Sequence, residues 1–212
     1  MIYEKTIAYY NNPKNYYAES TVKADMSEGY NHFLNYLPLT GTIMDLGCGS
    51  GRDSLFFIKR GYKVVPVDGS QRMCEETTKL IGYKSENITF QQLNFENCFD
   101  GIWACASLLH ISMQELPDIM NRIAKAMKPN GVLYASWKYG DTEHVDTTSD
   151  RFFCDMNEER INTLLKDVAL FDLKEMWLST DVREEYKTQT WINIIAGKKA
   201  VSKSPLSSTE NR

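Results

Sequence analysis

The 212-residue chain has no apolar run of about 18 residues, so nothing in it reads as a membrane-spanning helix. It has no excess of basic residues. Its 24 Lys and Arg stand against 28 Asp and Glu, a formal charge of −4, so the electrostatic footprint usual for a nucleic-acid binder is missing. It has no CxxC pair. Five scattered cysteines (Cys48, Cys74, Cys98, Cys105, Cys154) and three histidines (His32, His110, His144) argue against a disulfide framework and against any metal site. The thiols read as buried groups in a reducing compartment. Residues 1–5 lack the charged and apolar regions of a secretory signal, so the expected location is the cytoplasm. No repeat or low-complexity block interrupts residues 1–197; only 198–212 turn polar and Ser-rich, as in a loosely held tail.

What is present is a core-forming composition, 42% hydrophobic, and an alternation of short apolar runs with helical patterns. That alternation predicts an α/β fold, a parallel sheet with helices on both faces. Strands are expected at 42–46, 62–67, 88–93, 101–107, 132–137, 171–178 and 189–196. Helices are expected at 52–60, from a Ser70 cap to 81, after the capping-box spacing of Ser112 and Glu115, and from Asp155-x-x-Glu158. Before the alternation, Asp25-x-x-Glu28 opens a helix carrying Tyr30, Phe33, Leu34 and Leu37, preceded by a segment rich in tyrosine (Tyr9, Tyr10, Tyr16, Tyr17). The chain therefore divides into an N-terminal helical cap (1–40), an α/β domain (41–197) and the tail (198–212).

The most informative stretch is Asp45-x-Gly47-x-Gly49-x-Gly51, in which a strand runs into closely spaced glycines and then a helix. Glycines here permit a tight turn and let a ligand approach the backbone. A dinucleotide fingerprint would be G-x-G-x-x-G, whereas this turn is G-x-G-x-G followed by Arg52; a P-loop would need G-K-[S/T], which is absent. Asp45 would repel a pyrophosphate and attract an amine or sulfonium. Asp68, seventeen residues past Gly51 at the end of the second strand, suits a carboxylate that accepts ribose hydroxyls.

These residues, with Asp68-Gly69-Ser70 and Phe99-Asp100-Gly101-Ile102-Trp103, resemble the class I S-adenosylmethionine-dependent methyltransferases. The stretches Gly47–Ser54 and Trp103–His110 are similar to a small bacterial subgroup labelled as tellurite-resistance-type methyltransferases. The resemblance implies a Rossmann-like, seven-stranded, mostly parallel sheet with the last strand antiparallel, and S-adenosyl-L-methionine as cofactor. It places Gly47, Gly49 and Gly51, with Asp45, Ser50 and Arg52 of the same turn, around the methionine part, and Asp68 and Gly69 at the ribose. Ser70 and Met73 would flank the adenosine, Asn94 and Phe95 would border the adenine, Ser107 would face the sulfonium, and Tyr17 would close over the cofactor.

Methyl transfer from a sulfonium needs alignment and water exclusion more than acid–base help. His110, just past the fourth strand, is the candidate base if the acceptor carries a proton. Trp137, Lys138, Arg151 and Arg183 are the candidate substrate residues; Arg151 suits a carboxylate or oxyanion. Segment 138–150 reads as a lid loop. The Asn/Asp-Pro-Pro-Tyr/Phe motif of amino-methylating DNA enzymes is absent, and Cys105 reads as a core residue. The resulting expectation is a methyltransferase acting on a small molecule, with no nucleic-acid or membrane partner. The alternatives are a tRNA-nucleoside methyltransferase, which would need a basic face from Lys79, Lys84, Lys187, Lys198 and Lys199, and a non-catalytic cofactor-binding regulator.

Overall fold

A computed structural model describes residues 2–200; residues 201–212, most of the expected tail, lie outside the described residues. Three N-terminal helices, α1 (Ile2–Asn11), α2 (Tyr17–Thr21) and α3 (Ser27–Leu34), precede β1 (Thr42–Leu46), α4 (Arg52–Lys59), β2 (Lys63–Asp68), α5 (Gln71–Ile81), β3 (Glu86–Asn87) and β4 (Phe99–Ala104). Then follow α6 (Leu116–Ala126), β5 (Met127–Lys138), β6 (Glu143–Val145), β7 (Phe152–Cys154), α7 (Glu158–Val168), β8 (Phe171–Thr180) and β9 (Thr190–Lys198). Seven strands form one sheet in the order β3-β2-β1-β4-β5-β9-β8, and β6 pairs with β7 in a separate hairpin. Strands β1 to β5 run parallel to one another, while β9 is antiparallel to both β5 and β8.

The chain builds outward from β1 toward β3, then returns to start β4 on the other side of β1. The crevice beyond the carboxyl ends of β1 and β4 is therefore the switch point where open α/β sheets bind ligands. Alternate residues of the central strands feed two cores. Ile102, Ala104, Leu133, Ala135 and Trp137 pack with α6 and α7; Trp103, Val132 and Tyr134 pack with Tyr30 and Phe33 of α3 and Phe57 of α4.

Local chemistry explains where elements start and stop, including where the sequence patterns mislead. The Ser70 hydroxyl accepts from the Met73 N–H and caps α5, and Gly82 ends it in the left-handed region. The expected strand at 88–93 is instead the two-residue β3 followed by a 3-10 turn at Phe90–Gln92. Thr89 and Gln92 cap that turn reciprocally, the Gln92 side chain accepting from the Thr89 N–H at 2.8 Å. These local bonds compete successfully with the strand ladder. Helix α7 is capped by Asn157, which accepts from the Arg160 N–H, rather than by Asp155. Asp25 accepts from the Ser27 N–H two residues on, so it forms a turn before α3 instead of capping it. The expected lid loop at 138–150 is partly structured as β6, paired with β7.

Candidate active site

The glycine turn is anchored from below. The N–H groups of Gly47 and Cys48 both donate to the Val67 carbonyl at the end of β2, at 2.8 and 3.0 Å. The Ser107 hydroxyl donates to the Leu46 carbonyl at 2.7 Å, and the Thr77 hydroxyl of α5 donates to the Gly49 carbonyl at 3.0 Å. Gly47 and Gly49 have φ of +84° and +51°, for which glycine carries no Cβ penalty. Their surroundings differ. A Cβ on Gly47 would stand 2.4 Å from the Ser107 Cβ, whereas on Gly49 the first atom met is Tyr17 Cε1 at 3.7 Å.

Asp68 sits where β2 ends. One carboxylate oxygen accepts from the Gly49 N–H at 3.0 Å and the other from the Ser70 N–H at 2.8 Å, tying the glycine turn to the start of α5. Burial raises the Asp68 pKa to about 6, although those two N–H groups pull it back toward ionisation. Around Asp68 a cleft of about 610 Å³ is lined by Gly47, Gly49, Gly69, Ser70, Met73, Ile88, Phe90 and Ser107. From the N-terminal segment, Tyr3, Thr6, Ile7, Tyr10 and Tyr17 close the cleft. Helix α1 is strapped across it. Asn11 accepts from the Ser70 hydroxyl at 2.8 Å on one side, and Thr6 accepts from the Phe152 N–H of β7 at 3.1 Å on the other.

A second, wider cavity of about 1750 Å³ adjoins the first and shares Tyr10, Tyr17, Gly47, Gly49, Cys105, Ala106 and His110 with it. At this junction Ala106 is held at φ +49°, its N–H donating to the Ser136 hydroxyl at 2.9 Å. A non-glycine residue in that region is costly and is found where surroundings over-determine it, often at functional sites. Aromatic side chains including Tyr9, Tyr134, Phe153, Trp177 and Trp191 wall the wide cavity, and Arg52, Lys138, Arg151 and Arg183 bring positive charge.

The floor of that cavity is a buried network. Asp53 binds the Arg52 guanidinium through both oxygens, at 2.6 and 2.9 Å, and also accepts from the Tyr30 hydroxyl and from Trp103 Nε1 at 2.8 Å. Burial opposes ionisation of Asp53, but Arg52 and the donors around it hold its pKa below the usual carboxylate range. Asp45 has the opposite fate. It is buried beneath the turn, accepts from the Ser54 hydroxyl at 2.6 Å, and burial together with the Asp53 charge pushes its pKa up.

The His110 ring lies between two oxygens. Its Nδ1 is 2.6 Å from the Phe152 carbonyl, which can only accept, so Nδ1 carries the proton and Nε2 accepts from the Tyr10 hydroxyl at 2.8 Å. Burial lowers its pKa to about 3; the Phe152 carbonyl opposes that shift, and the Arg151 and Lys138 charges add to it.

The structure thus gathers Tyr17, Gly47, Gly49, Asp68, Gly69, Ser70, Met73 and Ser107 around the first cleft, with His110 at its junction with the second. Ser50, Arg52, Lys138, Arg151 and Arg183 line the wide cavity instead. Arg52 accordingly sits on the far side of the glycine turn from the cleft, held there by Asp53. Five expected positions lie elsewhere. Asp45 and Gly51 are beneath the turn, Gly51 being packed 3.0 Å from Thr77 by its would-be Cβ. Asn94 is exposed and Phe95 packs on Phe99 at 5.2 Å, because the 3-10 turn brings Ile88 and Phe90 to the cleft in their place. Trp137 is fully buried in the core, since it alternates away from the Ser136 and Lys138 face of β5. Cys105, expected in the core, instead lines both cavities, and burial pushes its thiol pKa up to about 12.

Sequence reasoning missed Tyr3, Thr6 and Tyr10, whose only signal was the density of tyrosines, and Asp53, whose signal was an Arg-Asp pair in the first turn of α4. It also missed Ile88 and Phe90, hidden in an apolar run read as strand.

Comparison with known proteins points the same way. Residues 43–131 match the family model described as a methyltransferase domain. That stretch is similar to the S-adenosylmethionine-dependent methyltransferase domain. The methyltransferase fold extends beyond those residues. The 1,6-didemethyltoxoflavin-N1-methyltransferase of Burkholderia thailandensis, solved with 1,6-didemethyltoxoflavin and S-adenosylhomocysteine bound, superposes with a TM-score of 0.77 at 18% identity, covering 93% of this chain and 87% of that one. An S-adenosylmethionine-dependent methyltransferase of Methanosarcina mazei superposes with a TM-score of 0.70 at 19% identity, covering 81% of this chain and 99% of that one. Among curated proteins, the cypemycin N-terminal methyltransferase of a Streptomyces species is 28% identical over 106 residues, 47% of this chain and 43% of the relative. YqeM of Bacillus subtilis, whose own name leaves the methyltransferase label provisional, is 24% identical over 126 residues, 54% of this chain and 51% of the relative. The chain therefore spans about half the length of the curated relatives it matches.

Proposed function

We propose that the chain methylates a small molecule with S-adenosylmethionine, which supplies an electrophilic methyl group on a sulfonium. The observation that carries this reading is the pair of adjoining cavities, one built around Asp68 and the glycine turn, the other walled by aromatic side chains. The residues present fit the cofactor. Gly49 brings no side chain into the cleft, Asp68 retains lone pairs on both oxygens for ribose hydroxyls, and Met73, Ile88 and Phe90 offer an apolar slot for adenine. Helix α1 and Tyr17 would act as the cap, excluding water from the place where the two cavities meet. The structural neighbour solved with 1,6-didemethyltoxoflavin bound supports a small acceptor, as do the aromatic walls of the wide cavity.

In this reading His110 holds Tyr10 in place. Its Nε2 is engaged by the Tyr10 hydroxyl, so a proton leaving the acceptor would pass to the Tyr10 oxygen as the Tyr10 proton moves to His110. The depressed basicity of His110 favours an acceptor that arrives with a lone pair already available. The aromatic walls favour an organic acceptor over the oxyanion named by the tellurite-resistance-type subgroup. A polymer substrate is less well served. Of the five lysines an RNA-binding face would need, Lys84, Lys187 and Lys199 are paired with Glu86, Glu184 and Asp172. Among the described residues no helix is long and apolar enough to cross a membrane.

The test is a transfer assay with methyl-labelled cofactor against separated small-metabolite and RNA fractions. The reading expects label in the small-metabolite fraction. Label in RNA, or binding without transfer to any fraction, contradicts it.

A further inference from the structure

The four cations of the wide cavity are not alike. Arg52 is clamped by Asp53, and Arg183 by Asp181 through Nε at 2.9 Å and Nη2 at 2.7 Å. Both bring their counter-ion with them. Lys138 and Arg151 do not, since among the described residues neither forms an ion pair with a carboxylate. The Arg151 guanidinium donates only to neutral oxygens, Ser149 Oγ at 3.0 Å and the Tyr10 hydroxyl at 3.3 Å. Its remaining neighbours are rings, with Tyr9 at 4.3 Å and Phe153 at 5.0 Å from the guanidinium carbon. Lys138 Nζ lies 3.8 Å from the centre of the same Phe153 ring. Burial makes the Lys138 ammonium harder to keep; Asp155 and Asp146 counteract this at longer range, and Arg151 and Arg183 add to it.

Two positive groups that share an aromatic platform in a partly desolvated cavity are costly without an opposite charge. Ring faces supply part of the compensation, and a bound anion would supply the rest. The guanidinium fork matches a flat carboxylate, and the rings around it match a flat aromatic body. We propose that Lys138 and Arg151 are specificity-determining residues that clamp the carboxylate of an aromatic or heteroaromatic acid in the wide cavity. The proposal deepens the small-molecule reading above, and rests on it for the claim that this acid is the methyl acceptor.

The probes are benzoate, its neutral isostere benzamide and inorganic phosphate, each titrated calorimetrically into the full chain with and without S-adenosylhomocysteine. The clamp predicts that benzoate binds at least tenfold more tightly than benzamide and more tightly than phosphate. Lys138→Gln and Arg151→Gln should each weaken benzoate by about tenfold and change benzamide by less than twofold. Arg151→Lys, which keeps the charge and loses the fork, should fall between. Among the described residues the Lys138 side chain makes no hydrogen bond, and its backbone contacts survive substitution, so Lys138→Gln remains informative if an Arg151 variant unfolds. Benzoate no tighter than benzamide, a preference for phosphate, or full benzoate affinity in Lys138→Gln overturns the clamp. S-adenosylhomocysteine separates the two readings. Failure to bind it, with the benzoate preference intact, sinks the methyl-transfer reading alone. Normal binding without that preference sinks the clamp alone.

Discussion

Gly47 and Gly49 are two residues apart in one turn, yet a methyl group added to each should fail in different ways. At Gly47 the new Cβ would stand 2.4 Å from Ser107 Cβ, on a residue whose hydroxyl anchors the end of β1, with φ at +84°. The left-handed backbone costs a non-glycine residue about 1–2 kcal/mol, and forcing a carbon into a packed position costs about 1–3 kcal/mol more. Gly47→Ala should therefore lose about 2–5 kcal/mol, or about 5–20 °C of Tm at the ~2–4 °C per kcal/mol usual for a chain of this size. At Gly49 nothing lies closer than 3.7 Å, so only the backbone cost of about 1–2 kcal/mol applies, a fall of about 2–8 °C. On the proposed reading that methyl would instead obstruct the cofactor, since Gly49 lines the cleft assigned to it. Thermal denaturation and calorimetry with S-adenosylmethionine on both variants decide the matter. Gly49→Ala should melt at least several degrees above Gly47→Ala yet bind the cofactor at least tenfold more weakly than the parent. A Gly47→Ala protein as stable as Gly49→Ala, or undiminished cofactor affinity in Gly49→Ala, would refute the reasoning.

Two further outcomes follow from the buried polar groups. Asp53→Ala strands the Arg52 charge and should cost about 3–5 kcal/mol in denaturant unfolding, whereas the paired change Arg52→Met with Asp53→Leu should cost clearly less than the single one; equal costs would show that the pair is not the source. The unfolded His110 imidazole gains its proton near pH 6.5, while the folded one holds out to about 3. Across that window the unfolded state binds more protons, so the parent loses stability as pH falls. His110→Gln lacks this term, and the stability gap between parent and variant should shrink by roughly 2 kcal/mol from pH 7 to pH 5 in urea titrations. A constant gap would mean that His110 is not held neutral.

Much of this site could be read from the chain because its logic is local. A strand, three glycines and a helix make the turn whatever surrounds them, and an Asp at the next strand's end falls beside it once β2 pairs with β1. Ser70 and Gly82 likewise carry their capping instructions with them. The misread parts depend on partners far away in sequence. Phe90 reaches the cleft because Thr89 and Gln92 close a turn where the apolar run promised a strand. Trp137 and Lys138 are neighbours, but the period of two sends one into the core and the other to the cavity. Tyr10 meets His110 a hundred residues later, a contact that no local pattern encodes, and Asp53 becomes a hub only when α3 brings Tyr30 and β4 brings Trp103 to it.

Calorimetric titration of S-adenosylmethionine into the parent chain and into Asp68→Ala is the most direct test of the cleft around Asp68 as a cofactor site. Saturable one-site binding to the parent, weakened at least tenfold in a variant that still melts cooperatively, is the result expected. Equal affinity in both proteins, or no binding to the parent at all, would contradict it.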